Sequence, residues 1–444
     1  MYTDEIVRIF KESNVEVGDI VRLSYGNHVV EGIIMPRPES GDSNVIIIKR
    51  TDGYNMGVGY NKSIKIQKIG KRNAATHTVK KVIAKSNVDV HLLYTGGTIG
   101  SKIDYVTGGV YMLTKPEELL SEVPELSDVA NIHVENLMSV ASDDISYKEW
   151  IVIAKHAADA LNSGAKGVVI TMGTDTMHYT AAALSFMLDD LSGPVVITGA
   201  QRSSDRGSSD AFMNLICATN AAAKSDIGEV SICMHASMSD DYCNMLRGTK
   251  TRKLHTSRRD AFKPINEKPI AKVSLSGNMT YTNNYRKVDR NNKTKLLTGF
   301  EPKVAMLKAY PNSDPEILDY YIEKGYKGVI IEGTGLGHMA VSTAHKEYNW
   351  LNAIRKATDK GMIVGITSQC IYGRVNSKVY RNARLMHDAG AVYCEDMLPE
   401  TAYVKLGFLL GNKSRDDSRL LLNKNMRGEI TERTGEEEFG SFYA

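Results

Sequence analysis

The chain has 444 residues, and 55 lysines and arginines against 52 aspartates and glutamates leave a formal net charge of only +3. A hydrophobic content of 42% and a charged content of 24% are ordinary for a soluble globular protein and exclude a disordered chain or a coiled coil. The small net charge excludes a strongly basic nucleic-acid coat, so any contact with nucleic acid has to be local. At about 150 residues per domain, the length predicts two or three domains.

Targeting and redox signals favour the cytoplasm. No window approaches the roughly 18 consecutive apolar residues of a membrane span, and Met1–Phe10 lacks the apolar stretch of a signal peptide. The cysteines are odd in number, and none forms a CxxC pair or a metal-type spacing with histidine. They are Cys217, Cys233, Cys243, Cys370 and Cys394. We therefore expect a cytoplasmic protein with reduced thiols, no membrane contact and no metal site.

The first 75 residues have the character of a small all-β barrel. Short runs with alternating or β-branched residues are separated by turn signals such as Tyr25-Gly26-Asn27. The predicted strands are Val17–Leu23, His28–Met35, Asn44–Lys49 and Ser63–Lys68. A polar, basic linker is expected over residues 76–87.

From Val88 onward the pattern changes to strand, loop and helix, which indicates an α/β protein with parallel sheets. In a domain over residues 88–285, the predicted strands are Val90–Tyr94, Gly167–Thr171, Pro194–Thr198 and Glu229–Met234, with helices at Tyr147–Asn162, Met177–Asp190 and Asp210–Lys224. A linker over 286–302 precedes a last domain over 303–444. Its predicted strands are Lys303–Leu307, Gly328–Ile331 and Met362–Ile366, with helices at Asp314–Lys324, Val341–Lys360 and Pro399–Leu410.

Two hydroxyl-bearing loops follow buried strands of the first α/β domain. Thr95-Gly96-Gly97-Thr98-Ile99-Gly100 follows one, and Gly173-Thr174-Asp175-Thr176 follows another. Alone, the first could be a structural turn, and the second could cap the next helix. Because ligand sites of parallel sheets lie beyond the carboxyl ends of strands, the recurrence favours a shared site.

A basic run lies further along, with six lysines and arginines from Arg247 to Arg259. Such runs are usually solvated surface. A threonine nucleophile, however, needs a base, and a lysine can serve if it loses its proton. Neighbouring cations would lower the lysine pKa from about 10.4, whereas Asp175 would raise it, so both outcomes stay open.

Together, TGGTIG after a strand, GTDT, and a lysine in an RGxxxxKxH stretch resemble the bacterial-type L-asparaginase family, from about Val88 to the C-terminus. The resemblance implies amide hydrolysis through a threonine acyl-enzyme, with Thr95 as nucleophile and Thr174, Asp175 and Lys253 as the second catalytic group. Tyr105 is also expected to be catalytic, and it lies in a stretch, Asp104–Val110, that resembles the family's active-site lid.

The same resemblance implies how the substrate is held. Ser142 and Asp143 match the positions that bind its α-carboxylate and α-amino groups. Asp175 can accept a hydrogen bond from the α-ammonium group, and Ser142 can donate one to the α-carboxylate.

The N-terminal unit has no place in ordinary asparaginases. Val29–Arg37, with the blocks Ile331–His338, Thr367–Asn376 and Cys394–Ala402, resembles the family of archaeal glutamyl-tRNA(Gln) amidotransferase D subunits. That family implies a chain that releases ammonia and a partner, the amidotransferase E subunit, that uses the ammonia to amidate Glu-tRNA(Gln). It also implies no cofactor in this chain, ATP and Mg at the partner, tRNA(Gln) bound mainly by the partner, and a homodimer within an α2β2 complex.

Two other functions stay open at this point. One is a free-standing cytoplasmic L-asparaginase with an accessory barrel. The other is an RNA-binding scaffold with an inert asparaginase fold, in which the barrel and the basic run would be the working parts. The presence of Thr95, Thr174, Asp175 and Lys253 together argues against an inert fold. Asparagine and glutamine differ by one methylene, so the preferred amide also stays open.

Overall fold

The computed structural model describes residues 2–26, 28–35, 43–50, 55–71, 88–97, 99, 101–103, 110–112, 123, 125–203 and 208–440. Its N-terminal unit is an antiparallel sheet in the order β4-β3-β2-β1-β5. The strands are β1 (Asp19–Tyr25), β2 (His28–Ile34), β3 (Val45–Lys49), β4 (Asn55–Gly59) and β5 (Lys65–Lys71). Alternate residues, such as Val21 and Leu23 of β1, are buried, so the sheet has one apolar face and one polar face.

Two elements of this unit differ from the sequence-based expectation. Helix α1 (Asp4–Glu12) begins after Thr3, whose side chain accepts a hydrogen bond from the Ile6 amide, and it buries Ile6 and Phe10. The signal for this helix is present in the sequence, since an N-cap threonine and two acidic residues begin an amphipathic stretch, and the prediction missed it. Strand β4 is also absent from the prediction, because glycines at two of its five positions give it a low strand propensity.

The second unit is built on an eight-stranded sheet in the order β18-β17-β14-β13-β12-β10-β6-β9. Its strands are β6 (Val90–Tyr94), β9 (Ile132–Asn136), β10 (Gly167–Thr171), β12 (Val195–Thr198), β13 (Val230–His235), β14 (Cys243–Arg247), β17 (Ala271–Val273) and β18 (Met279–Tyr281). The neighbouring strands β9, β6, β10, β12 and β13 pair in parallel. Strands β14, β17 and β18 continue the sheet in antiparallel pairing. The sheet is therefore mixed.

Short strand pairs and four helices complete this unit. The pairs are β7 (Ser101–Ile103) with β8 (Val110–Met112), β11 (Leu188–Asp189) with β19 (Lys295–Leu296), and β15 (Thr251–Lys253) with β16 (Phe262–Pro264). The helices are α2 (Leu126–Val129), α3 (Tyr147–Asn162), α4 (Met177–Met187) and α5 (Ala211–Lys224), with a 3₁₀ turn at Ser142–Asp144. Ser146 and Glu149 form a capping box that starts α3 where the sequence predicts it.

The third unit has a four-stranded parallel sheet in the order β20-β21-β22-β23. Its strands are β20 (Val304–Lys308), β21 (Gly328–Gly333), β22 (Ile363–Ser368) and β23 (Val392–Tyr393). The helices are α6 (Ile317–Glu323), α7 (Trp350–Asp359), α8 (Arg381–Asp388), α9 (Pro399–Asn412), α10 (Arg415–Leu421) and α11 (Glu437–Gly440), with a 3₁₀ turn at Lys346–Tyr348.

The helix predicted over Val341–Lys360 is too long. Helix α7 begins only at Trp350, because the Asn349 side chain accepts a hydrogen bond from the Leu351 amide and caps the helix there. Helices α8 and α10 are not predicted from the sequence.

The two α/β units share one apolar core. Phe186 of α4 stacks on Phe408 of α9 with ring centroids 5.8 Å apart, and Phe300 contacts the rings of Tyr147 and Trp150. The segment 286–302, expected to be a linker, runs along the second unit, since β19 pairs with β11. The N-terminus of helix α9 lies at the turn that follows β14, because Thr401 Oγ1 donates to the Thr249 carbonyl oxygen.

Candidate active site

The first candidate residue, Thr95, lies directly after β6 and is fully buried. Its hydroxyl donates to the Thr171 carbonyl at 2.8 Å, and its own carbonyl accepts from the Val140 amide at 3.0 Å. Gly96 and Gly97 follow with φ angles of 108° and 87°, a conformation that favours glycine. A Cβ on Gly97 would lie 2.2 Å from the Gly173 nitrogen, so the two glycine loops touch through their backbones.

The second loop, Gly173–Thr176, joins β10 to α4. Thr174 and Asp175 do not cap this helix, whose N-cap residue is Thr176. The Lys253 ammonium donates instead to Thr174 Oγ1 at 2.9 Å and to Asp175 Oδ1 at 2.7 Å. The side chain of Asp175 is 72% exposed and that of Lys253 only 9%, so the carboxylate faces solvent while the lysine lies beneath it.

Ser142 connects this cluster to the 3₁₀ turn. Its side chain is buried, and its hydroxyl accepts a hydrogen bond from the Asp175 amide at 3.1 Å. A Cβ on Gly173 would lie 2.9 Å from the Ser142 side chain, so these residues are in close contact. Asp143 follows on the same turn with an exposed side chain. Tyr105, with the rest of 104–109, lies outside the described residues; the flanking strands β7 and β8 pair antiparallel.

The geometry thus brings five residues together at the carboxyl ends of the parallel strands: Thr95, Ser142, Thr174, Asp175 and Lys253. Lys253 contacts Thr174 and not Thr95. The Thr95 hydroxyl instead donates a hydrogen bond to the Thr171 carbonyl. A lysine within hydrogen-bond distance of a hydroxyl is the arrangement that proton transfer requires. The cluster can therefore supply three hydroxyls, one amine and one exposed carboxylate to a bound molecule.

His178, which sequence reasoning missed, lies beside this cluster at the start of α4 and is buried. Burial, together with the charges of Arg252 and Lys253, lowers the pKa of its imidazole to about 4. The ring is therefore neutral near pH 7 and adds no positive charge next to Lys253. The signal available in the sequence was its position, three residues after Asp175, where the second loop leads into α4.

In the basic run from Arg247 to Arg259, each of the six cations has a carboxylate partner, and all of them except Arg258 are buried or half-buried. The pairs are Arg247 with Glu229 and Glu267, Lys250 with Asp396, Arg252 with Glu400, Lys253 with Asp175, Arg258 with Asp260, and Arg259 with Asp240. These ion pairs offset the positive charge that an RNA phosphate would need. The run, all of which the structure describes, therefore presents no unpaired cation, and Arg258, which is half exposed, is paired with Asp260.

The described residues contain neither a metal-binding cluster nor a membrane-spanning helix. Across the described ranges, no group of three histidine, cysteine, aspartate or glutamate side chains is placed to hold a metal ion. Within those ranges, no helix has both the length and the apolar character needed to cross a membrane.

Comparison with known families places this geometry in the class of asparaginase-type amidohydrolases. Residues 89–287 match "Asparaginase, N-terminal", residues 303–420 match "Glutaminase/Asparaginase C-terminal domain", and residues 15–69 match "GatD N-terminal domain". Among solved structures, the thermostable L-asparaginase from Thermococcus kodakarensis superposes with a TM-score of 0.67 at 27% identity. That comparison covers 78% of this chain and 99% of the other. L-asparaginase I from Vibrio cholerae also has a TM-score of 0.67, at 28% identity, covering 78% of this chain and 100% of the other.

Full-length relatives identify the family. The glutamyl-tRNA(Gln) amidotransferase D subunit of Pyrococcus furiosus is 47% identical over 436 residues, covering 96% of this chain and 97% of the relative. That of Thermococcus kodakarensis is also 47% identical, over 425 residues and 94% of each chain. The chain belongs to the D-subunit family of glutamyl-tRNA(Gln) amidotransferases, with two asparaginase-family amidohydrolase domains behind an antiparallel β domain. The fold class and the resemblance stated from the sequence are confirmed.

Proposed function

We propose that this chain hydrolyses the side-chain amide of asparagine or glutamine and that the ammonia serves amidation of Glu-tRNA(Gln) by a partner, the amidotransferase E subunit. The observation that carries the proposal is the contact of Lys253 with both Thr174 and Asp175. These residues lie at the carboxyl ends of the parallel strands, as Thr95 does. The names of the full-length relatives support the tRNA-dependent context.

In the proposed reaction, the Thr95 hydroxyl attacks the amide carbon and forms an ester. The amide nitrogen takes up the proton that the hydroxyl gives up and leaves as ammonia. Lys253, in its uncharged form, accepts a proton from the Thr174 hydroxyl, and this pair activates the water that cleaves the ester. The cleavage returns the Thr95 hydroxyl and releases aspartate or glutamate.

Substrate binding follows from the charges around the cluster. The exposed Asp175 carboxylate accepts from the α-ammonium group, and Ser142 donates to the α-carboxylate. Asp143, exposed on the same turn, adds a second negative charge toward the α-ammonium group. We assign Tyr105 to the lid over this site, by its place in the sequence.

The wider assembly is part of the same proposal. ATP and Mg are used by the E subunit and not by this chain, tRNA(Gln) is bound mainly by the E subunit, and two copies of each of the two chains form an α2β2 complex around a homodimer of this chain. We propose a cytoplasmic location, in keeping with five free cysteines. We propose domain boundaries at 1–75, 88–285 and 303–444, with segments 76–87 and 286–302 between them, supported by the three family matches.

The decisive measurement is ammonia release from asparagine and from glutamine, with and without the E subunit and Glu-tRNA(Gln). We expect release to rise when both are added and to vanish in a Thr95→Ala variant. Full-rate asparagine hydrolysis by the chain alone, unchanged by partner and tRNA, would instead establish a free-standing asparaginase. A Thr95→Ala variant that still released ammonia would refute the nucleophile assignment.

A further inference from the structure

Strand β15, which carries Lys253, lies between the candidate active site and the third unit. Its side chains alternate in direction, as in any β-strand. Lys253 points to Thr174 and Asp175, whereas Arg252 points the opposite way, to Glu400. The strand therefore has a face toward the site and a face toward the third unit.

The third unit holds this strand through a short segment at the start of α9. Lys250 Nζ lies 2.6 Å from Asp396 Oδ2, and neither side chain has any exposed surface. Arg252 Nη2 lies 2.9 Å from Glu400 Oε1. Thr401 Oγ1 also donates to the carbonyl oxygen of Thr249 at 3.0 Å. Residues 396–401 thus contact residues 249–252 at three points.

Two ion pairs at separate points hold the strand. Lys250 lies in the turn before β15 and Arg252 within β15, whereas Asp396 lies before the start of α9 and Glu400 within its first turn. Together the two pairs restrain both the position of the strand and its rotation about its own axis. A single pair would leave that rotation free.

The Glu400 contact is costly as a purely stabilising device. Glu400 is buried, and among the described residues no hydrogen-bond partner reaches its Oε2. Burial raises the pKa of this carboxyl, although Arg252 opposes the shift. An apolar pair of similar volume would usually stabilise such a position as well or better. A charged pair here is better explained by the directional geometry that it imposes.

We infer that Lys250 and Arg252 are positioning residues, which Asp396 and Glu400 of the third unit hold so that Lys253 Nζ stays at Thr174 and Asp175. The inference rests on the proposed role of Lys253 in amide hydrolysis. On this inference, the start of α9 in the third unit helps to set the position of Lys253 and so the rate of amide hydrolysis. Because a misplacement of about 1 Å in a catalytic group can cost up to about 100-fold in rate, loosening either pair should slow turnover.

The test uses the full chain with asparagine and glutamine, and it separates kcat from KM for Arg252→Met and Glu400→Gln. Each is expected to lower kcat by about 10-fold or more with KM changed less than about threefold. The double variant should be no slower than the slower single variant, because both substitutions remove the same contact. Arg252→Lys should recover part of the lost kcat, since it restores a cation that can reach the carboxylate.

Two controls separate positioning from stability. Arg258→Gln removes another paired arginine of the same run, one that is paired with Asp260 and not with the third unit, and kcat is expected to stay at the wild-type value. Lys405→Met breaks a fully buried pair with Glu429 inside the third unit. It should lower the unfolding midpoint while the folded enzyme keeps its kcat. A loss of kcat in Lys405→Met equal to that in Arg252→Met would overturn the inference.

A second readout is independent of activity. The rate at which an acetylating reagent modifies Lys253, followed by peptide mass spectrometry, should rise in Arg252→Met because the ammonium is no longer held against Thr174. If the wild-type chain released no ammonia but this rate rose, the positioning would stand and the proposed function would fail. If wild-type activity were present but kcat and labelling were unchanged in Arg252→Met and Glu400→Gln, the positioning inference alone would fail.

Discussion

Replacement of Lys253 by methionine is expected to abolish turnover and leave the fold nearly intact. Methionine keeps the apolar stem, which is mostly buried, and removes only the ammonium group. The ion pair with Asp175 is worth at most about 1 kcal/mol, because that carboxylate is largely exposed and screened by water. The hydrogen bond to Thr174 adds about 1 kcal/mol. The free energy of unfolding should therefore fall by no more than about 2 kcal/mol.

The catalytic loss from the same change is expected to be much larger. Removal of a group that transfers a proton lowers the rate by about 100-fold to 10,000-fold, and methionine offers no lone pair that could replace the amine. Lys253→Arg is the matched variant. It keeps a cation beside Asp175, but guanidinium does not give up its proton, so it should be almost as inactive.

The assay pairs ammonia release from both amides with urea-induced unfolding of each variant. A Lys253→Met chain that kept more than about a tenth of wild-type kcat would refute a role in proton transfer. If the free energy of unfolding of Lys253→Met were lower than that of the wild type by more than about 4 kcal/mol, the ammonium group would be structural. An active Lys253→Arg variant would mean that positive charge, and not proton transfer, is what the site requires.

Three further outcomes follow from the contacts around the site. His178→Gln should flatten the pH dependence of stability. The buried imidazole stays neutral down to about pH 4, whereas the unfolded chain binds a proton below its ordinary pKa of 6.5. Lowering the pH from 7.5 to 5 should thus cost the wild type about 2 kcal/mol more than the variant in urea unfolding; equal losses would contradict a neutral His178. Gly97→Ala should lower stability by at least about 2 kcal/mol, as its methyl would overlap the backbone of Gly173 at a positive φ; an unchanged urea midpoint would rule this contact out. Ser142→Ala should raise KM about 10-fold or more, through loss of its contact with the Asp175 amide and of a donor to the substrate; a change confined to kcat would argue against substrate binding.

Much of the site could be predicted from the sequence because the relevant signals are local. Thr95 and Thr174 each follow a run of apolar residues that forms a buried strand. Because these two strands pair in parallel, the loops that follow them lie at the same end of the sheet. The predicted bounds of Val90–Tyr94 and Gly167–Thr171 agree with the structure. The helix predicted at Tyr147–Asn162 is also observed, since its cap and apolar stripe are encoded within the stretch itself.

Other parts could not be predicted, because they depend on neighbours that are distant in the chain. The basic run was open to interpretation as solvated surface or as an RNA contact, since its partners are not in the run. Lys250 meets Asp396 and Arg252 meets Glu400, which lie about 150 residues further along. Charge in a sequence does not reveal its pairing, because ion pairs form at a few ångströms between segments that only the fold brings together.

The sequence by itself determined that this near-neutral chain contains a β unit and two α/β units, and which strand ends carry hydroxyl and carboxylate groups. Hydrophobic periodicity and turn residues suffice for that, because they act between near neighbours in the chain. The family resemblance had already grouped Lys253 with Thr174 and Asp175, and the structure supplies the contact distances. Only the tertiary structure decided that the strand of Lys253 is held by carboxylates of the third unit. Such contacts are set by how the two α/β units pack around their shared core, and no stretch of sequence encodes that packing alone.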